Sequence, residues 1–202
     1  MRLLFTLFFS IIITALYASS GKEVLRYWNV SGASSLEIHG TTNVNSFVCV
    51  SDYTKDRDMI MERWNPDDGK WVIHGEVLLD VKDFDCRNRI MNNDFQHTLQ
   101  SEVYPQIKVE FLELKEVSTQ GKSRKAEGVV QITLAGETKR YPISSTLVFL
   151  DDYYSILKGE QVFRFSDFGL EAPQKGFGMV RVRDEIAVQF ELMLEQVMLT
   201  GN

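Results

Sequence analysis

The sequence has few residues of the types that break regular structure or build reactive centres. Among its 202 residues are 4 prolines, 13 glycines, 2 cysteines and 3 histidines, and it contains no low-complexity tract, repeat period or linker-like stretch. These absences argue against disorder, repeat architectures and flexibly joined domains. Because 44% of the residues are hydrophobic and 25% are charged, the composition indicates one ordinary folded domain with a core.

Basic residues are also in the minority. The chain has 22 Lys and Arg against 28 Asp and Glu, a net charge of −6, and no basic stripe runs through the sequence. A phosphate backbone repels an acidic surface of this kind, so nucleic acid is not an expected partner. The same argument disfavours attachment to an anionic lipid surface.

The first twenty residues differ from the rest of the chain. Met1 and Arg2 give a short positive start, residues 3–17 form an almost unbroken apolar run, and residues 18–20 are the small residues Ala-Ser-Ser. This pattern predicts a signal peptide over residues 1–20, cleaved before Gly21. A membrane anchor is the alternative, but it needs about 20 apolar residues to cross the bilayer, and this run is shorter. Loss of Arg2 leaves 21 basic against 28 acidic residues, a net charge of −7.

The two cysteines have two interpretations. In an exported chain an even pair normally forms a disulfide, so a bridge between Cys49 and Cys86 is expected. Two separate buried thiols are the alternative, which a cytosolic location would favour. The bridge would close a loop of 37 residues.

After Gly21 the apolar residues recur with a period of two. In residues 71–81, Trp71, Ile73 and Val77 fall on one face with further apolar residues, whereas polar residues such as His74 fall on the other. This alternation is typical of a β-strand with one wet side. The same alternation occurs at residues 107–111, 130–134, 141–149, 161–165 and 186–194, and turn signals stand at residues 65–69 and 135–137.

One segment has a helical period instead. Between Arg89 and Glu102, Met91, Phe95 and Leu99 recur at every fourth residue. The spacing predicts a short amphipathic helix that the Tyr-Pro pair at residues 104–105 ends. Many strands, short turns and one helix indicate an antiparallel barrel or sandwich, and alternation alone does not choose between the two.

Nothing in the sequence predicts a catalytic site, a metal site or a cofactor. His39 and His74 lie in predicted strands and His97 lies in the predicted helix, so no two histidines have a metal-ligand spacing. A Gly-x-Ser-x-Gly elbow and a Gly-rich phosphate loop are both missing. An enzyme would need a polar cluster inside a barrel, for which His39, His74 and Glu76 are the only candidates. The chain is therefore expected not to be an enzyme.

Aromatic residues are plentiful, with 13 Phe, 7 Tyr and 3 Trp, many of them on the apolar faces of strands. They either fill a core, which is the usual role of such residues, or line a cavity. A closed sheet of about eight strands has an interior wide enough for one small ligand. Composition does not decide between these alternatives.

Several segments resemble motifs of the YceI-like family of exported bacterial proteins, in the form found among its Bacteroidetes members. The similarity spans about residues 34–196, and the order and spacing of the motifs carry it. The matching segments are an opening strand and turn at 36–47, a Tyr-Pro-x-Ile strand entry at 104–107, a hairpin at 128–139, a Ser-Asp-Phe-Gly-Leu element at 166–170 and an Arg-Asp-Glu-Ile strand entry at 183–186.

The resemblance implies a lipocalin-like antiparallel β-barrel of about eight strands with one short helix, as a single domain over residues 21–202. It also implies a periplasmic location and a lipid or polyisoprenoid ligand. The places of Cys49 and Cys86 fit this subgroup, which supports the disulfide. The chain departs from the family pattern at Gly40, in the helix and at Arg183, so the resemblance does not imply a particular contact to the head group of a ligand.

The expected function is thus binding of an apolar, chain-like ligand such as a polyprenyl quinone or alcohol. A structural or stress-related envelope protein with a filled core is the alternative. A homodimer is left open, because the sequence does not determine the oligomeric state. The apolar faces of the paired strands predict a ligand-binding lining made of Trp71, Ile73, Val77, Ile107, Val109, Phe111, Val130, Ile132, Phe163, Phe165, Val188 and Phe190.

Overall fold

The computed structural model describes residues 24–53 and 58–197. The predicted signal peptide and its cleavage site lie outside the described residues. Within them the chain forms twelve strands, one α-helix and two short 3₁₀ helices, at Val81–Asp83 and Phe165–Phe168. The other elements are β1 Leu25–Val30, β2 Ser34–Thr42, β3 Ser46–Tyr53, β4 Met59–Asn65, β5 Lys70–Asp80, β6 Phe84–Asp85, α1 Arg89–Thr98, β7 Gln106–Gln120, β8 Ser123–Leu134, β9 Glu137–Phe149, β10 Tyr154–Arg164, β11 Gln174–Lys175 and β12 Val180–Gln196.

Eight antiparallel strands close into a ring in the order β1-β4-β5-β7-β8-β9-β10-β12, and pairing of β1 with β12 completes it. Both β1 and β2 pair with one edge of β12. Residues 182–191 of that strand pair with β2, and residues 194–196, nearer its end, pair with β1. The strands β2, β3 and β6 therefore extend the wall on one side of the barrel. The predicted antiparallel barrel of about eight strands is confirmed, and the sandwich alternative is not.

The two ends of the barrel differ. We call the end that carries α1, the β2–β3 turn at residues 43–45 and the β11–β12 turn at residues 176–179 the helix end. The opposite end, with the β4–β5 turn at residues 66–69 and the β9–β10 turn at residues 150–153, is the far end. The predicted turns at 65–69 and 135–137 both join consecutive antiparallel strands.

The long strands bend where their register shifts. The pairing of β7 with β8 shifts between Phe111 and Glu113, which is a β-bulge, and bulges increase the local bend and twist that closing a sheet requires. Gly128 lies beside this bulge, and a Cβ atom there would stand 1.8 Å from the carbonyl oxygen of Glu113. The bulge therefore requires glycine at this position, because any side chain would collide with the neighbouring backbone.

The helix is shorter than predicted. It begins at Arg89 as expected but ends at Thr98 rather than Glu102, so the predicted end was wrong. Gln100 adopts a left-handed backbone with a φ of 54°, and its amide donates to the carbonyl oxygen of His97 at 3.0 Å. This is a helix-ending hydrogen-bond pattern that normally uses glycine. Because glutamine stands in its place, no residue before the Tyr-Pro pair signals the end of the helix.

A disulfide joins Cys49 on β3 to Cys86, which follows β6, as predicted. Both cysteines are buried. The bond ties the extended wall of the barrel to the segment that leads into α1, so the position of the helix over the barrel depends in part on this link.

Replacing both cysteines, as Cys49→Ala with Cys86→Ala, should lower the free energy of unfolding by about 4 kcal/mol, because the 37-residue loop is no longer closed in the unfolded chain. Urea unfolding at neutral pH measures the loss. Chemical reduction of the unaltered protein is the control and should give a loss of similar size. An unchanged urea midpoint in the double variant would show that the bond does not contribute to stability.

Candidate functional site

The barrel contains a cavity of about 320 Å³ that opens at the helix end. Inward-facing side chains of β2, β3, β5, β7, β8, β9, β10 and β12 form its wall, and α1 lies over it. Most of the wall is aliphatic or aromatic. A volume of this size lies at the lower end of the range found for pockets that bind small molecules, about 300–1,000 Å³.

Ten of the twelve residues in the predicted lining face this cavity. They come from five strands and the start of the second 3₁₀ helix, which are far apart in the sequence but adjacent in the barrel wall. The ten are Val77, Ile107, Val109, Phe111, Val130, Ile132, Phe163, Phe165, Val188 and Phe190.

Trp71 and Ile73 do not line the cavity. Both lie on the inward face of β5, but nearer the far end than Val77. Ile73 is 2% exposed and is paired with Leu114 on β7. The ring of Trp71 lies 4.2 Å from the guanidinium carbon of Arg26. Alternation identifies the face of a strand but not the depth along the barrel axis, which is why these two residues were assigned to the lining.

The far end of the barrel is filled by a charged cluster around Trp71. The carboxylate of Glu62, a residue with 0% exposure, is bonded to the guanidinium of Arg124 and lies 3.5 Å from Nη1 of Arg26. The guanidinium of Arg124 also packs on Trp71, 5.3 Å from the ring centroid, and on Phe149, at 4.9 Å. Burial raises the pKa of Glu62 above its ordinary value, and the two arginines oppose that rise.

The apolar face of α1 closes the helix end. Met91, Phe95 and Leu99, which the four-residue spacing placed on one face, all line the cavity. Phe95 also packs against Phe84, with ring centroids 5.1 Å apart. Asn88 precedes the first helical residue, and its side chain caps the helix by accepting from the amide of Ile90 at 2.9 Å. The sequence predicted the face but not that the face covers a cavity.

Further lining residues were missed by the sequence analysis. Leu36 and Ile38 on β2, and Val182 and Ile186 on β12, continue the same alternation, which is the signal that could have found them. Phe47 was missed for a different reason. It is paired with Gly40 on β2, and its ring fills the space that a side chain at Gly40 would occupy. A Cβ atom on Gly40 would stand 2.2 Å from Cζ of Phe47.

Most polar side chains of the lining lie near the opening of the cavity. Thr42, Asn45 and Ser46 lie in or beside the β2–β3 turn, and Arg164 is the last residue of β10. Gln161 lies deeper in the wall, where it is paired with Val188. The groups near the opening could hydrogen-bond the polar head of a molecule whose apolar part fills the interior, an arrangement that small-molecule sites commonly use.

An ion pair crosses this rim. Nζ of Lys175 on β11 lies 2.7 Å from Oδ1 of Asp94 on α1, and both residues line the cavity. The pair connects the helix to the β11–β12 hairpin at the opening.

The Ser-Asp-Phe-Gly-Leu element holds aromatic lining residues in place. The amide of Ser166 donates to Asp184 at 2.9 Å, and hydrogen bonds from Ser166 lower the pKa of Asp184. The hydroxyl of Tyr141 donates to Asp167 at 3.0 Å, and burial together with Asp167 raises the pKa of Tyr141. The ring of Tyr141 meets Phe163 edge to face, with centroids 4.7 Å apart. The element thus has a structural role at the cavity wall.

The residues considered for catalysis lie on the outside of the barrel. Nε2 of His39 lies 3.0 Å from Oε2 of Glu37, and Glu76 pairs with Lys108 at 2.8 Å. His74 alternates with the inward-facing residues of β5. Across residues 24–53 and 58–197, no group of three His, Cys, Asp or Glu side chains is arranged to hold a metal ion. No helix in the same ranges is long and apolar enough to cross a membrane.

Comparison with known proteins supports a shared fold. The family model of the YceI-like domain matches residues 37–194. A polyisoprenoid-binding domain from Saccharophagus degradans superimposes with a TM-score of 0.63 at 12% identity, covering 86% of this chain and 100% of that domain. BcnA from Burkholderia cenocepacia superimposes with a TM-score of 0.56 at 15% identity, covering 79% of this chain and 95% of BcnA. No curated protein sequence matches.

Proposed function

The chain belongs to the YceI-like domain family, and we propose on that basis that it is an exported protein that holds one apolar, chain-like ligand in its barrel cavity. A polyisoprenoid or a prenylated quinone has the required chemistry. The proposed contact residues are the ten predicted residues that face the cavity, together with Met91 and Phe95 of α1 and Leu99, which follows it. The single observation that carries the proposal is the largely apolar cavity, most of whose polar side chains lie near its opening.

The distribution of polarity favours a long apolar molecule with one polar end. Burial of its chain would be driven by about 25 cal/mol for each Å² of apolar surface removed from water. A head group with several polar atoms would lose its hydrogen bonds to water deep in the cavity, at a cost of 1–3 kcal/mol or more for each unpaired group. The head group therefore stays at the rim, where Asn45 and Arg164 can reach it.

Export is supported by two independent features. The first is the signal-peptide pattern of residues 1–20, and the second is the disulfide between Cys49 and Cys86. Disulfides persist in oxidising compartments such as the bacterial periplasm and are rare in the cytosol. A periplasmic location follows if the host has a periplasm.

Native mass spectrometry of protein purified from the periplasm of its own host tests this proposal, followed by organic extraction. We expect a stoichiometric adduct of isoprenoid mass that extraction removes. The extracted protein, incubated again with quinones and polyprenols, is the control for reversible binding. A mass without adduct that stays unchanged after this incubation would contradict the proposal and favour a structural envelope protein.

A further inference from the structure

The most exposed large hydrophobic side chains all lie at the helix end. Five of them, in the part of the chain that the structure describes, are between 65% and 111% exposed, and the next, Tyr153 at the far end, is 51% exposed. They come from four separate segments around the opening of the cavity. The five are Val44 in the β2–β3 turn, Ile90 in the first turn of α1, Val103 before β7, and Phe177 and Met179 in the β11–β12 turn.

Phe177 occupies the tip of a tight hairpin turn. The amide of Met179 donates to the carbonyl oxygen of Gly176 at 3.1 Å, and the two residues between them, Phe177 and Gly178, have φ values of 53° and 85°. Turns with two positive φ values strongly prefer Asn, Asp or Gly, and a bulky residue in this conformation is strained. A fully exposed phenylalanine makes no core contact that would offset this strain. This favours a role for Phe177 in contacting another molecule or surface.

The two hairpin turns are fixed to each other. Nδ2 of Asn43 donates to the carbonyl oxygen of Met179 at 2.9 Å, and the amide of Arg181 donates to Oδ1 of Asn43 at 3.0 Å. Val44 and Met179 are therefore held side by side rather than on independent loops. The residues that flank them, including Asn45 and Val180, line the opening of the cavity. The exposed apolar tips thus stand at the opening of the cavity.

The hairpin is positively charged although the chain is acidic. Residues 174–183 contain Lys175, Arg181 and Arg183 and no acidic residue, whereas the whole chain has a net charge of −6. Lys175 is paired with Asp94, and Nε of Arg181 donates to the carbonyl oxygen of Gly178 at 2.8 Å, directly beneath the turn. Asp184 and Glu185 follow this segment, but Asp184 accepts from Ser166 and Glu185 is paired with Arg164. The basic side chains of the hairpin are therefore a local exception to the acidic charge of the chain.

We propose that the helix end docks onto the surface of a bilayer that contains anionic lipids. Phe177, Met179 and Val44 enter the region between head groups and acyl chains, and Arg181 and Arg183 contact lipid phosphates. Exposed aromatic and aliphatic side chains next to basic residues are the combination that binds such an interface. Isolated tips on hairpins suit a soft, penetrable surface better than a flat, packed protein interface, which requires a continuous complementary face.

Docking in this orientation gives the cavity a direct route to the membrane. This inference rests on the proposed function, because only an apolar ligand benefits from such a route. An apolar chain that leaves a bilayer through water exposes all of its surface, which is unfavourable in proportion to that area. With the opening against the bilayer, the chain can slide between lipid and cavity while most of its surface stays out of water.

Sedimentation of the mature full-length protein with vesicles tests the docking, using phosphatidylcholine with about 30% phosphatidylglycerol, a composition chosen to attract basic residues near the surface. We expect the unaltered protein to sediment with these vesicles and to dissociate as the salt concentration rises. The double variant Phe177→Ser with Met179→Ser should bind at least about tenfold more weakly, because two apolar side chains no longer enter the interface. Arg183→Gln should weaken binding to these vesicles but not to pure phosphatidylcholine.

The matched control is Leu150→Ser with Tyr153→Ser, which removes exposed apolar side chains from the far end and should leave vesicle binding unchanged. Native mass spectrometry of the same variants separates this inference from the proposed function. An unaltered protein that retains its lipid but does not bind vesicles would overturn docking alone. Equal loss of binding in the far-end control would also overturn it, as would a dimer in solution that Phe177→Ser converts to monomer.

Discussion

Phe163→Arg is expected to abolish retention of an apolar ligand while the barrel stays folded. Phe163 lines the cavity and is only partly buried, one residue before Arg164 at the rim. The longer arginine side chain can therefore keep its charge near water in the empty protein. A ligand that fills the cavity would remove this water, and burying an unpaired charge costs several kcal/mol. Ligand affinity should fall by about a hundredfold or more.

Native mass spectrometry after incubation with a polyprenol measures this loss, and the urea midpoint checks the fold. The matched control is Val162→Arg, which places the same charge on the neighbouring residue of β10, on the outer face of the barrel. Val162 is 46% exposed and does not line the cavity. The control should retain the ligand. Full retention by a folded Phe163→Arg protein would show that the cavity is not the binding site.

The contrast between Phe163 and Val162 follows from alternation, and alternation is what the sequence could predict. It assigned Val77, Phe111 and Val188 to the inward face, and all three line the cavity. It also assigned Trp71 and Ile73 to that face, where they lie, but it could not give their depth. Depth depends on how the strands are staggered around the ring, and stagger arises from pairings between residues far apart in the sequence.

The helix shows a similar limit. The spacing of Met91, Phe95 and Leu99 predicted a shared apolar face correctly. The end of the helix was wrong, because it depends on the backbone of Gln100, a residue type without a strong preference for the left-handed conformation. Local patterns therefore predict which side chains point together, whereas the end of an element can depend on a single residue.

The charged cluster at the far end was not predicted, although part of it leaves a trace in the sequence. Glu62 alternates with Ile60 and Trp64 on the inward face of β4, where a charged residue breaks the expected pattern. Its partners Arg26 and Arg124 come from strands 36 and 62 residues away. Nothing in the sequence around either arginine distinguishes it from an ordinary surface residue. The three side chains come together only because the strands close into a ring.

Arg124→Met should lower the free energy of unfolding by about 3–5 kcal/mol at pH 8, because it leaves the buried carboxylate of Glu62 without its main partner. Methionine keeps much of the apolar contact with Trp71 and Phe149, so the loss measures charge more than packing. Urea unfolding followed by tryptophan fluorescence provides the measurement. The double variant Glu62→Leu with Arg124→Met should be more stable than Arg124→Met, since replacing both partners of a buried pair with apolar residues is often neutral.

The same variant should show a pH dependence whose sign follows from the pKa of Glu62. Burial already raises this pKa above its ordinary value of 4.5, and Arg124 opposes the rise, so Arg124→Met should raise it further. A raised pKa in the folded state means that protonation of Glu62 favours folding. That contribution is fully present below pH 4.5 and is lost as the pH rises through the folded-state pKa. The destabilisation should therefore be small near pH 4.5 and complete at pH 8.

The control is the variant Glu62→Gln with Arg124→Met, which should lack this pH dependence. An equal loss of stability at both pH values in Arg124→Met would mean that packing, and not the buried charge, stabilises the far end.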